Sequence, residues 1–263
     1  MPVIENVDSE KTLLLAKKAM NTFILRIIHY VILIGTYVRQ WLIHIPMLSF
    51  SKPDNLTLQA DARQLKKLPL HLGMIILEND ISYSDLANVI LWSAAMGISF
   101  ISIYDTNGIV KRNDVRLSEE IKKQKSFNSD TDYSKSDIQL HSNLEKNTNK
   151  STSQVDVYLL CLKDGRQSIV NMTKYICSHV KQKQIKSMDI SPQSVDCLFQ
   201  EETGYPDPDM VLKFGQVDSL LGFMPWHVRL TEILSLPTHI GVDYKTFRSV
   251  MISFGDTEQR FGK

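Results

Sequence analysis

Two short and almost wholly apolar runs, separated by a helical pattern, limit this chain to a small set of folds. The runs span residues 70–77 and 98–104, and each has the length of a strand. Four apolar residues between them follow helical spacing, namely Leu86, Val89, Ile90 and Ala94. Ser82 and Asp85 precede this helix in the pattern of a capping box. A buried strand, a helix and a second buried strand form a right-handed parallel unit, so the sequence predicts an α/β domain.

The rest of the chain continues this alternation of strands and helices. Apolar runs predict two further strands, over residues 155–162 and 210–214. Other stretches predict helices over residues 114–123, 166–180, 189–199 and 243–259. Strands with helices between them indicate a doubly wound sheet, whose ligands bind beyond the carboxyl ends of the strands.

Residues 225–234 predict one more helix. Pro225 suits the first helical position, where the missing N–H would have had no partner in any case. Four apolar residues follow at roughly helical spacing, namely Val228, Leu230, Ile233 and Leu234.

Composition divides the chain into three parts. Residues 1–48 are predicted to be an N-terminal membrane-associated segment, residues 49–67 a polar linker, and residues 68–263 the folded domain. Within the domain, residues 124–154 are rich in Ser, Asn, Asp, Lys and Thr and have almost no apolar side chains. Such a stretch buries too little surface to offset the entropy of ordering, so it is predicted to be a disordered insert.

The N-terminal apolar run, residues 27–38, leaves three interpretations open. It is shorter than the roughly 20 residues that an untilted membrane-spanning helix needs. A short or tilted spanning helix and an amphipathic helix in the plane of the membrane both fit, with Arg26 and Arg39 reaching the interface. A helix buried in a soluble core is the third. Two arginines are awkward in a core, which favours membrane association.

Charge and cysteine content argue against two classes of function. Thirty basic and 29 acidic residues give a net charge of +1, so no bulk basic field attracts nucleic acid, and we expect no such partner. The three cysteines lack metal-ligand spacing and are an odd number for a disulfide framework. Buried, reduced thiols in a domain that faces the cytosol are therefore predicted.

The carboxyl ends of the predicted strands carry few of the groups that an active site needs. Glu78 follows the first strand, Asp105 the second, and Gly215 and Asp218 the strand at 210–214. None of these ends carries a glycine-rich loop that would hold a phosphate. The architecture is that of an enzyme, but the catalytic positions are empty.

Long motifs in the second half of the chain resemble the Nogo-B receptor family. The most specific are Pro-Trp-His-x-Arg-Leu-Thr-Glu-Ile and Leu-Pro-x-His, followed by a terminal Arg-Phe-Gly-Lys, at residues 225–233, 236–239 and 260–263. The resemblance covers residues 68–263 apart from the polar insert. It implies an undecaprenyl-diphosphate-synthase-like parallel sheet flanked by helices, behind an N-terminal membrane-associated helix. It also implies the accessory subunit of a dehydrodolichyl diphosphate synthase complex, a cis-prenyltransferase.

The chain departs from the catalytic relatives of this family at two places. It keeps His71 of a His-x-x-x-x-x-Asp-Gly-Asn run, but Leu77 stands at the aspartate position. Where those relatives have an Arg-Thr-Gly-Gly-Glu type segment, this chain has residues 213–217, Lys-Phe-Gly-Gln-Val. The resemblance therefore implies that this chain contributes no catalytic residue and is inactive alone.

The resemblance assigns roles to five residues. Arg260 and Gly262 are expected to bind isopentenyl diphosphate in trans, inside the site of a catalytic partner subunit. Trp226, Arg229 and Glu232 are expected to line the interface with that subunit, with ordinary packing inside the domain as the alternative. The complex is expected to join isopentenyl diphosphate to farnesyl diphosphate with Mg²⁺, bound mainly by the partner. It is expected at the endoplasmic reticulum membrane, with the globular domain facing the cytosol.

Other interpretations of these residues stay open. A terminal arginine is ordinarily a solvated charge. His71 fits a hydrogen-bonded core histidine, and His227 fits a structural role or a dimer contact. Asp207 and Asp209 fit a turn better than a metal site. For the whole chain, the alternative is a membrane-anchored receptor or scaffold that binds other proteins without a role in prenyl transfer.

Overall fold

The chain has two separate units. The computed structural model describes residue 17 and residues 20–35, 55–127, 137–142 and 154–258. The units are residues 1–50 and 51–263. In the first, helix α1 covers residues 20–35, and its apolar side chains are between 45 and 70% exposed. In the described part of the chain, no helix combines the length and the apolar character that crossing a membrane requires.

The second unit alternates helices and strands. The helices are α2 (Asn55–Gln64), α3 (Tyr83–Met96), α4 (Ile109–Arg112), α5 (Asp114–Phe127), α6 (Arg166–Lys181), α7 (Pro192–Thr203) and α8 (Tyr244–Asp256). The strands are β1 (His71–Ile76), β2 (Phe100–Asp105), β3 (Asp137–His141), β4 (Gln154–Leu160), β5 (Met210–Phe214) and β6 (Glu232–Leu236). Two 3₁₀ turns, Leu162–Asp164 and Ser187–Asp189, precede α6 and α7.

The described strands form one sheet in the order β3-β4-β2-β1-β5-β6, and all neighbouring pairs are parallel. This confirms the predicted α/β fold with a parallel sheet and flanking helices. The four central strands lie where the apolar runs predicted them, because strands covered on both faces need apolar side chains in both directions.

Each face of the sheet has its own core. Leu72, Met74 and Ile76 point to the first face, where α2, α3, α5 and α8 pack. The predicted N-cap of α3 is confirmed, since the Ser82 side chain accepts a hydrogen bond from the backbone N–H of Asp85. The reciprocal bond of a capping box is not formed, because the backbone N–H of Ser82 donates to Nε2 of His239 instead. The second face carries a smaller core, formed with Tyr205 and residues 220–228.

The helix predicted for residues 225–234 is wrong. Residues 225–231 form turns and bends, and Glu232–Leu236 is strand β6. Exposure along β6 alternates with a period of two residues, which is the pattern of a strand with one covered face. The helix prediction relied partly on Ile233 and Leu234. Two adjacent apolar residues occur in helices as readily as in strands, so this pair could not distinguish the two.

The predicted linker and insert are each wrong over part of their range. Residues 55–64 of the linker form α2, and Leu58 of that helix is fully buried in the main core. Within the predicted insert, Gln124–Phe127 continues α5 and Asp137–His141 is the edge strand β3. Both β3 and α2 bury few side chains, so their sequences are polar and lack a strong apolar period.

The prediction of buried thiols is also wrong for two of the three cysteines. Cys161 is partly buried, whereas Cys177 on α6 and Cys197 on α7 are exposed, and all three thiols are free.

His71 is the hydrogen-bonded core histidine that the sequence allowed. It is fully buried, with Nδ1 2.6 Å from the carbonyl oxygen of Pro206 and Nε2 2.7 Å from Oγ of Ser102. A carbonyl only accepts, so Nδ1 carries the proton and Nε2 accepts from the Ser102 hydroxyl. Burial lowers the pKa of His71 to about 4, so the ring is neutral at neutral pH.

We expect His71 to destabilise the fold in mild acid. Its pKa is lower in the folded chain than its ordinary value of 6.5, so its contribution is complete above that value and is lost as the pH falls toward 4. Between pH 7 and pH 5 the loss should be about 2 kcal/mol. Urea unfolding of the full chain at both pH values measures it. The variant His71→Gln should lose about 2 kcal/mol less over the same interval, and an equal loss in both proteins would contradict the assignment.

Candidate functional site

The carboxyl edge of the sheet is the expected ligand position, and an apolar residue lies at its centre. Leu77 directly follows β1, and its backbone N–H donates to the carbonyl oxygen of Phe214 at 3.0 Å. Its side chain packs against the core of the second face. The position that the resemblance gives to a catalytic aspartate is thus occupied by a packed aliphatic group, which cannot bind a metal or a proton.

Glu78, the next residue, anchors the segment that follows β6. Its carboxylate accepts hydrogen bonds from the backbone N–H of His239, at 2.9 Å, and from Nδ1 of the same residue. Nε2 of His239 in turn accepts the backbone N–H of Ser82 at 2.9 Å, which requires the Nδ1–H form of the ring. Burial would raise the pKa of Glu78, but hydrogen bonds from His239 and Thr238 outweigh it and lower the pKa. Glu78 is therefore a structural carboxylate.

The carboxylate that ends β2 and the one that follows β4 also accept hydrogen bonds from inside the chain. Asp105 accepts the first two backbone N–H groups of α4, at 2.8 and 3.0 Å, and so caps that helix. Asp164 pairs with Nζ of Lys111 at 2.8 Å and accepts the backbone N–H of Cys161 at 2.8 Å. Each carboxylate holds a turn in place, as expected of local structural contacts rather than of a ligand site.

The buried lysine at the end of β5 is paired as well. Lys213 is 5% exposed, and its Nζ lies 2.8 Å from Oδ1 of Asp218, which is at the surface. The hydrogen bond from Lys213 lowers the pKa of Asp218. Among the described residues no group of three or more His, Cys, Asp or Glu side chains lies close enough to hold a metal ion. Because each of these carboxylates already accepts N–H groups, the donor set of this edge does not fit Mg²⁺.

A loop over residues 220–228 covers the second face of the sheet. A Cβ atom on Gly73 would lie 2.8 Å from Cζ of Phe223, so this ring rests directly on the backbone of β1. Burial raises the pKa of Tyr104 to about 12, and its phenol donates to the carbonyl oxygen of Leu221 at 2.7 Å. A Cβ atom on Gly165, at the start of α6, would lie only 2.3 Å from the carbonyl oxygen of Gly222. The loop is therefore in contact with both the sheet and α6.

The structure brings two of the three predicted interface residues together. Asp196 of α7 accepts from Nε1 of Trp226 at 2.6 Å and from Arg229 at 2.7 Å. Arg229 also pairs with Asp207 at 2.6 Å, and Asp207 lies 2.8 Å from Nδ1 of the buried His227. The hydrogen bond from Arg229, with that from Trp226, outweighs burial and lowers the pKa of Asp196. Asp196 was missed by the sequence analysis, because nothing local marks a contact across 30 residues.

The two aspartates before β5 have separate partners. Asp209 accepts the backbone N–H groups of Leu70 and His71, at 2.7 and 3.1 Å. Asp207 instead pairs with His227 and Arg229. These contacts connect the segment before β5 to β1 and to the loop over residues 220–228.

Glu232 lies at the start of the edge strand β6. Its backbone N–H donates to the carbonyl oxygen of Asp209 at 2.9 Å. Beside it, Leu230 and Ile233 are 58 and 42% exposed. The edge therefore presents apolar side chains and a strand, which are features of a protein contact surface. Arg260 and Gly262 lie outside the described residues, which end at Glu258, two residues after α8.

The fold resembles that of solved prenyl diphosphate synthase structures. Lavandulyl diphosphate synthase from Lavandula x intermedia, in complex with dimethylallyl diphosphate, matches with a TM-score of 0.52 and 15% identity, over 74% of this chain and 99% of that one. At this identity the likeness shows the fold alone.

Curated relatives resemble the sequence far more closely, although no protein-family model matches. The human dehydrodolichyl diphosphate synthase complex subunit NUS1 is 42% identical over 207 residues, covering 78% of this chain and 70% of the relative. The mouse subunit is 42% identical, covering 78% and 69%. The Saccharomyces cerevisiae subunit is 26% identical over 237 residues, covering 78% and 62%. The chain therefore belongs to the NUS1 family of dehydrodolichyl diphosphate synthase complex subunits.

Proposed function

We propose that this chain is a noncatalytic but required subunit of a dehydrodolichyl diphosphate synthase complex. A second subunit, itself a cis-prenyltransferase, would condense isopentenyl diphosphate with farnesyl diphosphate into a long polyprenyl diphosphate for dolichol synthesis and protein glycosylation. One observation carries the noncatalytic role: the carboxyl edge of the sheet holds Leu77 and carboxylates that are already engaged. Mg²⁺ would then be bound mainly by the catalytic subunit.

We assign substrate binding to the tail and assembly to the edge of the sheet. The guanidinium of Arg260 offers a diphosphate paired, charge-assisted hydrogen bonds. Gly262 lets a backbone N–H approach an anion without a Cβ in the way. The exposed apolar residues beside Glu232 and the Trp226–Arg229 cluster support β6 and the neighbouring loop as the surface that meets the catalytic subunit.

The exposed apolar side chains of α1 support association with a membrane. We place the complex at the endoplasmic reticulum membrane, with the second unit in the cytosol, where three free thiols would stay reduced.

A reconstitution tests this function. Incorporation of labelled isopentenyl diphosphate is measured with farnesyl diphosphate and Mg²⁺, using this chain alone, the catalytic subunit alone and the pair. This chain alone should make no product. The catalytic subunit alone should be on the order of a hundredfold slower than the pair, because it lacks the arginine contacts. Product from this chain alone would identify it as a self-sufficient synthase, and equal rates for the catalytic subunit and the pair would exclude the required role.

A further inference from the structure

The last turn of α8 is held by Lys67 immediately before the tail. Nζ of Lys67 donates to the carbonyl oxygen of Thr257 at 2.7 Å and lies 4.6 Å from the centroid of the Phe254 ring. Thr257 is the C-cap of α8, so the ammonium group lies at the negative end of the helix dipole. The contact joins residues 190 positions apart in the sequence.

The neighbouring backbone supports the same turn. Lys66 pairs with Asp256 at 2.7 Å, although both side chains are largely exposed. A Cβ atom on Gly255 would lie 3.6 Å from the backbone nitrogen of Lys66 and 3.6 Å from the carbonyl oxygen of Lys67. The end of α8 therefore rests on the backbone of the connection between α2 and β1.

The first half of α8 is attached to α2 as well. Asp61 of α2 accepts from the hydroxyl of Tyr244 at 2.6 Å and pairs with Nε of Arg248 at 2.9 Å. Phe247, Met251 and Phe254 are buried in the main core. With both ends of the helix held, the position and direction of the chain at Glu258 are set, two residues before Arg260.

We propose that Lys67, supported by Lys66, is a positioning residue for prenyl transfer, because it fixes where the tail that carries Arg260 leaves the domain. The inference rests on the proposed function, in which this tail enters the site of the catalytic subunit. Helix ends fray because their last carbonyl groups lack partners in the helix. Unwinding one turn lengthens the chain by about 7 Å, whereas a misplacement of about 1 Å already impairs a positioned group.

Hydrogen exchange and kinetics together test the role of Lys67. In the full chain, Lys67→Met should increase amide exchange over residues 254–258 roughly tenfold, because it removes a charge-assisted hydrogen bond but keeps the aliphatic stem. In the complex, Lys67→Met should raise KM for isopentenyl diphosphate severalfold and leave KM for farnesyl diphosphate and complex formation unchanged.

Three further variants serve as comparisons. Lys67→Arg should restore both the amide exchange and the KM for isopentenyl diphosphate, and Lys66→Met should have a smaller effect. Lys245→Met, at an exposed lysine in the first turn of α8, is the matched control and should change neither measurement.

Deletion of residues 259–263 separates this role from the proposed function. In the truncated chain, Lys67→Met should cause no further change in KM for isopentenyl diphosphate. Equal effects of Lys67→Met with and without the tail, or unchanged exchange over residues 254–258, would overturn the positioning role. A truncation that leaves KM and turnover unchanged would overturn the substrate-binding role proposed for the tail, and the positioning role of Lys67 with it, even if hydrogen exchange shows that Lys67 holds the end of α8.

Discussion

Replacement of Arg260 by alanine is expected to lower kcat/KM for isopentenyl diphosphate on the order of a hundredfold in the reconstituted complex. Two charge-assisted hydrogen bonds to a diphosphate contribute about 3 kcal/mol at the low end of their usual range, which corresponds to that factor. Steady-state kinetics of the pair, with isopentenyl diphosphate varied at saturating farnesyl diphosphate, measure the loss. Formation of the complex should be unaffected, because the proposed contact surface lies at β6 and the loop before it.

Two tail variants show whether geometry or charge matters at position 260. Arg260→Lys keeps the charge but loses the planar pair of donors, so it should recover only part of the activity. Lys263→Ala removes a cation from the same tail and should have little effect. Unchanged turnover and an unchanged KM for isopentenyl diphosphate in Arg260→Ala would exclude the tail as a substrate contact.

The centre of this fold was predictable from the sequence because the central strands are covered on both faces. Every residue of β1 and β5 is buried, so both are short, mainly apolar runs of strand length, interrupted only by His71 and Gly73 in β1 and by Lys213 in β5. The first residue of α3 was equally clear from the sequence, because the cap formed by Ser82 and Asp85 involves residues close in sequence.

The periphery was not predictable for the opposite reason. The edge strands β3 and β6 bury at most one residue each, so their sequences mix polar and apolar residues and little distinguishes a strand from a loop or a helix. Helix α2 buries Leu58 but is otherwise largely polar, and its role in holding α8 depends on Asp61. Contacts of this kind join residues more than 180 positions apart, which no local pattern reports.

In the candidate site, too, the types of residue could be predicted from the sequence, whereas the contacts between distant residues could not. Leu77, at the position where the resemblance expects an aspartate, was readable from the sequence, because the residue type at one position is local information. The hydrogen bonds between Glu78 and His239, and those from Trp226 and Arg229 to Asp196, became visible only in the three-dimensional structure. The structure thus explains why these polar residues are present without assigning them catalysis.

The close contact between α6 and the covering loop leads to the second large prediction, for Gly165→Ala. A Cβ atom here would lie 2.3 Å from the carbonyl oxygen of Gly222, a backbone atom that cannot rotate away as a side chain does. The loop must shift, and Phe223 must then leave its contact with Gly73. We expect a loss of about 3 kcal/mol in the free energy of unfolding, at the upper end of the usual cost of overpacking. Urea unfolding of the full chain, followed by circular dichroism, measures it.

The same variant should also weaken assembly, because the loop that Gly165 supports contains Trp226 and leads through Arg229 into β6. Gly255→Ala is the matched control: its Cβ atom would meet nothing closer than 3.6 Å, and alanine in a helix is more stable than glycine by up to about 1 kcal/mol. Gly255→Ala should therefore keep or raise stability and retain the complex. If Gly165→Ala were as stable as the control and bound the catalytic subunit equally well, the loop would not depend on its contact with α6, and the surface proposed for assembly would lose its structural support.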